Sequence, residues 1–196
     1  MSSRTPSGLI PSEAPSGILF EEALECCSHR YGLSVEAVLR RLEEGDCGMH
    51  STLRYGLAKG LSGYLASLGS VFHEVYVYGS SISESSNPGS DIDVIVVVEK
   101  RRDEIANLLK KLDLSLTSHY RRLVGLKRDP TSLLDIHVIN KTEQAERSGY
   151  GAVIDGLHSR AICLWRSDPA TTGASREGSP RRSSSACSPA SMSTQR

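Results

Sequence analysis

The spacing of apolar side chains along the chain predicts several helices. Apolar residues recur at helical intervals twice between 18 and 44, with Gly32 interrupting them, and this pattern predicts a helical hairpin. The same spacing predicts a longer helix over 50–68 and another over 101–114. Shorter helical stretches are predicted between 142 and 159.

Runs of β-branched and aromatic residues between these helices predict strands. The clearest are 75–78, 91–98 and 132–140, and weaker patterns indicate short strands over 114–117 and 161–165. The alternation of helices and strands indicates an α/β (α+β) fold. We expect a mixed sheet of about four to five strands with helices on one face, preceded by the helical hairpin.

Composition divides the chain into four segments. Residues 1–17 and 167–196 are rich in Ser, Pro and Gly and have little apolar surface to bury, so a flexible leader and a disordered Ser/Arg-rich tail are predicted. Between them lie the predicted hairpin, 18–48, and a domain over 49–166.

Charge, cysteine content and hydropathy restrict the possible partners and location. The 23 basic and 23 acidic residues cancel, which gives no support for a nucleic-acid partner, although Arg121, Arg122, Lys127 and Arg128 could form a local basic loop. The five cysteines form no Cys-x-x-Cys pair, and there is no apolar signal segment or run of eighteen apolar residues. A cytoplasmic protein with reduced thiols and no membrane segment is therefore expected.

The segment between the first two clear strands carries the candidate chemistry. Asp91 and Asp93 are separated by one residue, so in a strand both carboxylates point to one face and repel each other. A divalent cation such as Mg²⁺ would neutralise such a pair. Gly79 and Ser80 follow the preceding strand, where backbone N–H groups and a hydroxyl could contact phosphate oxygens. The combination indicates a nucleoside triphosphate and its metal.

A third carboxylate, Asp135, lies inside the apolar strand predicted over 132–140. Burying a carboxylate is costly unless it has a partner. A metal shared with Asp91 and Asp93 would be one partner, and a structural hydrogen bond is the alternative; the neighbouring pair favours the metal. His137, two residues on, is interpreted as a hydrogen-bonded strand residue outside the site.

These residues form a recognisable motif. Gly-Ser at 79–80, ten intervening residues and Asp-Ile-Asp-Val at 91–94, followed by Asp135 on a later strand, resemble the signature of the nucleotidyltransferase superfamily that includes DNA polymerase beta. The similarity extends over about 50–165 and is greatest to minimal nucleotidyltransferases, including the MNT-type antitoxins that pair with HEPN toxins. The resemblance implies the fold of that superfamily.

The resemblance also implies roles for the motif residues. Two Mg²⁺ ions would be held by Asp91, Asp93 and Asp135, and Asp135 would help to deprotonate the attacking hydroxyl. Gly79 and Ser80 would bind the outer phosphates of ATP. The leading interpretation is transfer of AMP from ATP to a protein partner, a small helical toxin-like protein. Transfer to a small molecule or an RNA end, and a non-catalytic binding scaffold, are the alternatives.

Overall fold

The structure is a computed structural model of the chain, and it describes residues 15–125, 130–156 and 161–167. Within these ranges the chain forms six α-helices and four strands, which confirms the predicted α/β (α+β) fold. The helices are α1 (Ser16–Tyr31), α2 (Val35–Glu43), α3 (Cys47–Ser67), α4 (Asp103–Leu123), α5 (Lys141–Ala145) and α6 (Gly151–Ile154). The strands are β1 (Phe72–Tyr78), β2 (Ile92–Val98), β3 (Leu134–Asn140) and β4 (Ile162–Arg166).

The four strands form one mixed sheet in the order β3-β2-β1-β4. β1 pairs antiparallel with β2 and with β4, whereas β2 and β3 are parallel. A parallel pair needs a connection that returns the chain to the same end of the sheet, and α4 provides it. The predicted mixed sheet is therefore confirmed, with four strands among the residues described.

The central strand β2 is buried on both faces of the sheet. Val94, Val96 and Val98 belong to the main core, together with side chains from the four longer helices. Ile95 and Val97 belong to a smaller core on the opposite face, where α6 contributes Ile154. The long helices therefore cover one face of the sheet, as predicted. The other face was predicted to have no helix, and this was wrong because α6 covers part of it.

Close packing of α1 on α3 is made possible by glycine. A Cβ atom placed on Gly56 would lie 3.0 Å from the Cα of Ala23, and one on Gly60 would lie 2.9 Å from a methyl carbon of Leu19. Only a residue without a side chain lets the two helices approach so closely. The first helix of the hairpin thus contributes to the main core, with Leu19 and Ala23 buried.

The short strand predicted over 114–117 was wrong, because this segment lies inside α4. Four residues are too few to separate a two-residue from a 3.6-residue period, and the helix continues for six more residues, to Leu123. The residues that α4 buries follow the helical period: Ile105, Leu109, Leu112, Leu116, Thr117 and Tyr120.

The predicted basic loop was also wrong in part. Arg121 and Arg122 belong to the last turn of α4. Arg121 donates to the carbonyl of Pro130 from Nε at 2.9 Å and from Nη2 at 2.6 Å, so it joins α4 to the chain that leads into β3. The other two cations, Lys127 and Arg128, lie outside the described residues.

The predicted leader and tail fall almost entirely on residues 1–14 and 168–196, which lie outside the described residues. Their disorder stays a prediction. Among the helices of the described ranges, none is long and apolar enough to cross a membrane.

Candidate active site

The three predicted acids lie at one end of the sheet. Asp93 is paired with Asp135 across the parallel strands β2 and β3, and Tyr78 at the end of β1 is paired with Asp93 from the other side. Paired residues of neighbouring strands point to the same face, so Asp93 and Asp135 lie side by side. Asp91 is exposed and precedes β2 by one residue. The parallel register brings Asp93 and Asp135 together.

The acids differ in how far they are buried. Asp93 is half-buried, and its pKa is raised to about 6 by burial first and then by the charges of Asp91 and Asp135. The side chain of Asp135 is 47% exposed, and its Oδ2 lies 3.2 Å from Nε2 of His137. The expectation that Asp135 would carry the cost of burial was therefore wrong; that cost falls on Asp93.

Gly79 is packed directly against the carboxylate of Asp93. A Cβ atom at Gly79 would collide with Oδ2 of Asp93, and the backbone of Gly79 is left-handed with φ +71°. Both features require glycine at this position. Gly79 and Ser80 begin a short 3-10 helix, Gly79–Ile82, and the Ser80 hydroxyl accepts a hydrogen bond from the Ser86 hydroxyl at 3.3 Å. The predicted phosphate-binding pair thus lies beside the acids.

A buried arginine on α3 holds the loop that ends at Asp91. Arg54 is 0% exposed, and its Nε and Nη2 donate to the carbonyl of Ser90 at 3.1 and 2.8 Å. Nη2 also donates to the carbonyl of Pro88 at 3.2 Å. Among the residues described, Arg54 has no carboxylate within ion-pair distance, and Asp91 is the acid whose charge stabilises it. Arg54 therefore fixes the backbone immediately before Asp91.

Two further buried side chains complete the network around Arg54. Nη2 of Arg54 donates to the Tyr120 hydroxyl at 3.1 Å, and that hydroxyl lies 3.0 Å from Nδ1 of His50. Nε2 of His50 is 3.0 Å from the carbonyl of Leu42, which can only accept. Nε2 therefore carries the proton and Nδ1 accepts from Tyr120 in neutral His50. This network connects α2, α3 and α4 with the loop before β2.

We expect the neutral state of His50 to make stability depend on pH. Burial, followed by the charge of Arg54, lowers the pKa of His50 from 6.5 to about 4. Because the unfolded chain binds a proton at higher pH than the folded protein, stability rises from pH 4 to 6.5 and is lost as pH falls through that window. His50 should account for roughly 2–3 kcal/mol of that loss.

Urea unfolding of the wild type and of His50→Gln at several pH values between 4 and 7 would measure this effect. A glutamine amide can donate to one partner and accept from the other but does not titrate in this range. The wild type should lose more stability than the variant on acidification. Parallel pH profiles for the two proteins would contradict the assignment.

An open pocket of about 550 Å³ borders Asp91. Its lining comes from the loop before β2 and from the chain that leads into β3: Asn87, Gly89, Ser90, Asp91, Pro130, Thr131 and Ser132. Among the described residues the lining includes Asp91 but neither Asp93 nor Asp135. The pocket gives access to the exposed side of the candidate site.

The chemistry of the three acids suits a hard divalent cation. Carboxylate oxygens are the ligands that Mg²⁺ prefers, and a cation would offset the repulsion that, together with the larger effect of burial, raises the pKa of Asp93. Within the described parts of the chain, however, no group of three His, Cys, Asp or Glu side chains is arranged to hold a metal ion. Joint binding of one ion by the acids would require at least one carboxylate to turn toward it.

Sequence reasoning did not single out Arg54, His50 or Tyr120. One signal was available, because Arg54 lies three residues before Leu57 and seven before Leu61 and so shares the buried face of α3 with them. Its carbonyl partners in the loop before β2, Pro88 and Ser90, lie 34 and 36 residues further along the chain, and no local pattern connects them to Arg54.

Comparison with known proteins adds one finding. A family model described as a nucleotidyltransferase domain matches residues 59–158, which are 100 of the 196 residues of the chain. The matched range contains Gly79, Ser80 and all three acids. No curated protein and no solved structure matches the chain.

Proposed function

Since this chain belongs to the nucleotidyltransferase domain family, we propose that it transfers AMP from ATP to a hydroxyl group of a protein partner in a reaction that uses two Mg²⁺ ions. Family membership supports nucleotidyl transfer as the general reaction. That the donor is ATP, that the metal is Mg²⁺ and that the acceptor is a protein are our proposals for the details of this reaction. The resemblance of the motif to MNT-type antitoxins supports a small helical toxin-like protein as the acceptor.

The pairing of Asp93 with Asp135 is the observation that carries the proposal. The two carboxylates lie side by side on adjacent parallel strands, and Gly79 approaches Asp93 so closely that no other residue fits. Nucleotidyl transfer needs acidic groups next to a segment of backbone that a phosphate chain can approach. The acid pair and the neighbouring 3-10 helix, Gly79–Ile82, at this end of the sheet support the proposal.

The acids would hold the metal. Asp91, Asp93 and Asp135 would supply its oxygen ligands, and Mg²⁺, when bound, stabilises negative charge on the attacking and leaving oxygens. Asp135 would also accept the proton of the attacking hydroxyl, a role supported by the half-exposed position of its carboxylate. The acceptor oxygen then bonds to the α-phosphorus of ATP and pyrophosphate leaves.

Gly79 and Ser80 would bind the outer phosphates. The missing side chain of Gly79 leaves room for the Asp93 carboxylate, and the backbone N–H groups of the short 3-10 helix that begins there would contact phosphate oxygens. The Ser80 hydroxyl accepts from Ser86, so its own proton is available for a phosphate oxygen. Arg54 keeps the loop before Asp91 in place during the reaction through its bonds to Pro88 and Ser90.

We also place the protein in the cytoplasm. Among the described residues no disulfide joins Cys26, Cys27, Cys47 or Cys163, which agrees with a reducing compartment. Burial raises the pKa of the Cys27 thiol to about 12, so Cys27 is an inert core thiol rather than a reactive one.

Transfer can be tested with ATP labelled at either end of its phosphate chain. The protein would be incubated with Mg²⁺, a small helical toxin-like protein and ATP labelled at the α- or γ-phosphorus. We expect α-label on the acceptor protein and an equal amount of pyrophosphate. Label from the γ-phosphorus would indicate phosphoryl transfer and contradict the proposal. Label on an RNA end or a small molecule in parallel reactions would show a different acceptor for the same nucleotidyl transfer.

A further inference from the structure

An exposed aromatic side chain lies next to the candidate acids. Tyr150 is 43% exposed, and one face of its ring is stacked on His137 with ring centroids 3.4 Å apart and planes 12° apart. His137 in turn contacts the carboxylate of Asp135 at 3.2 Å. Tyr150 is therefore separated from a candidate catalytic acid by a single side chain, although neither aromatic residue has a role in the transfer described above.

The backbone that carries Tyr150 is firmly held. The N–H of Ser148 donates to the carbonyl of Glu143 at 3.0 Å, and the N–H of Gly151 donates to the carbonyl of Ser148 at 2.9 Å. A Cβ atom at Gly151 would collide with the carbonyl oxygen of Glu143, so this segment packs directly on α5. The exposure of Tyr150 thus results from a fixed position and not from a frayed loop.

The free face of Tyr150 is a surface on which a flat ring can stack. His137 covers one face of the Tyr150 ring, so the exposed area lies on the other face and the edge. Tyr78 also lies near His137, with ring centroids 6.4 Å apart and ring planes tilted by 38°. The three rings therefore form a cluster on the face of the sheet that carries Asp93 and Asp135. Stacking on aromatic side chains is the usual way in which proteins bind nucleobases of any sequence.

Shielding of His137 from water is the structural alternative for Tyr150. A shield depends on apolar volume, and a branched aliphatic side chain would provide it equally well. A stacking contact depends on a flat aromatic face. Tyr150→Leu keeps the apolar volume and would preserve a shield but not a stacking contact. Tyr150→Phe keeps the ring and would preserve both.

We propose that Tyr150, supported by His137, is a stacking platform for a nucleobase bound at the candidate active site. This inference rests on the proposed function and adds a base-binding contact to it. The donor ATP supplies one such base. An acceptor with a nucleotide end would supply another, and the two sources can be separated by experiment.

Calorimetry with three ligands in the presence of Mg²⁺ tests the platform. The ligands are ATP, tripolyphosphate, which lacks a base, and an adenosine dinucleotide with a free 3′ hydroxyl. Tyr150→Ala and Tyr150→Leu should weaken binding of a base-containing ligand roughly five- to 150-fold, the range that follows from loss of one base–aromatic stack. Tyr150→Phe should bind like the wild type, and tripolyphosphate should bind equally to all four proteins.

Thermal melting of each variant shows whether it is folded, and a control variant shows whether loss of an exposed apolar side chain elsewhere affects binding. Leu114→Ala removes another exposed apolar side chain, 58% exposed on α4, and should change none of the affinities. Weaker binding of ATP alone would assign the platform to the donor base, and weaker binding of the dinucleotide alone would assign it to the acceptor.

Several results would overturn the platform. One is unchanged affinity of Tyr150→Ala for both base-containing ligands. Another is a loss of affinity in Tyr150→Phe as large as in Tyr150→Ala, which would assign the contact to the Tyr150 hydroxyl. Wild-type protein that binds tripolyphosphate as tightly as ATP, with no affinity for the dinucleotide, would overturn the platform and leave the proposed function standing. Wild-type protein that binds none of the three ligands would contradict both the platform and the proposed function.

Discussion

Asp93→Asn is expected to leave the protein folded and to reduce nucleotidyl transfer on the order of 10³-fold or more, the scale seen when one member of a catalytic unit is removed. Asparagine has nearly the size and shape of aspartate, so β2 and its pairing with β3 should persist. The substitution removes the charge that would hold Mg²⁺ between Asp93 and Asp135. The rate of the chemical step should therefore fall while the folded structure is kept.

The same substitution should not lower stability. Burial and the charges of Asp91 and Asp135 raise the pKa of Asp93 to about 6, which means that its ionised form is disfavoured in the metal-free protein. A neutral amide removes that repulsion. The melting temperature of Asp93→Asn without Mg²⁺ should therefore equal or exceed that of the wild type, as is common for sites that serve function rather than stability.

Labelling with α-labelled ATP, together with melting curves with and without Mg²⁺, measures both effects. Asp103→Asn is a matched control, because Asp103 is exposed in the first turn of α4 and has no assigned role in the site. The control should keep full activity. Equal labelling by the wild type and Asp93→Asn would remove Asp93 from the mechanism, and a large drop in melting temperature would assign it a structural role.

Arg54→Ala is expected to lower the free energy of unfolding by about 3–4 kcal/mol, the upper range for a buried polar network that loses one member. Arg54 is fully buried and makes hydrogen bonds to the carbonyls of His50, Pro88 and Ser90 and to the Tyr120 hydroxyl. Alanine leaves these oxygens without their donor and leaves a cavity. The loop before Asp91 would lose its attachment to α3.

Urea unfolding with two companion variants would separate this network from a general effect of removing positive charge. Arg40→Ala removes an exposed arginine on α2 and should change stability by less than about 0.5 kcal/mol. Arg54→Lys keeps the charge but not the planar fork that contacts Ser90 twice, so it should fall between the wild type and alanine. A loss below about 1 kcal/mol for Arg54→Ala would show that the network contributes little, since a typical single hydrogen bond contributes that much.

Local pattern was enough to predict most of the helices and strands. The predicted helix over 50–68 agrees with α3 (Cys47–Ser67), and the apolar run in 91–98 agrees with β2 (Ile92–Val98). Periodicity succeeds in such segments because side-chain direction along a helix or strand is set by the backbone of that segment alone. It failed at 114–117 because four residues fit both periods and only packing against the core selects the helix.

The sequence by itself also determined which residues are candidates for the chemistry. The spacing of Gly79, Ser80, Asp91 and Asp93 is contained in one short segment, and a turn between two strands necessarily keeps its ends close. Asp135 could be nominated from its unusual place in an apolar strand. Its partner could not be derived from local pattern, because the parallel register of β2 and β3 depends on the crossover through α4.

Only the tertiary structure decided the contacts between distant segments. Arg54 reaches the carbonyls before Asp91, and Tyr150 stacks on His137, through approaches that no periodicity in the chain encodes. Such contacts depend on how helices, strands and loops pack together, and a side chain's partners are fixed when that packing is complete. The sequence therefore determined most of the secondary structure and the motif, and the packing decided the state of 114–117, how the motif is supported and which aromatic ring lies beside it.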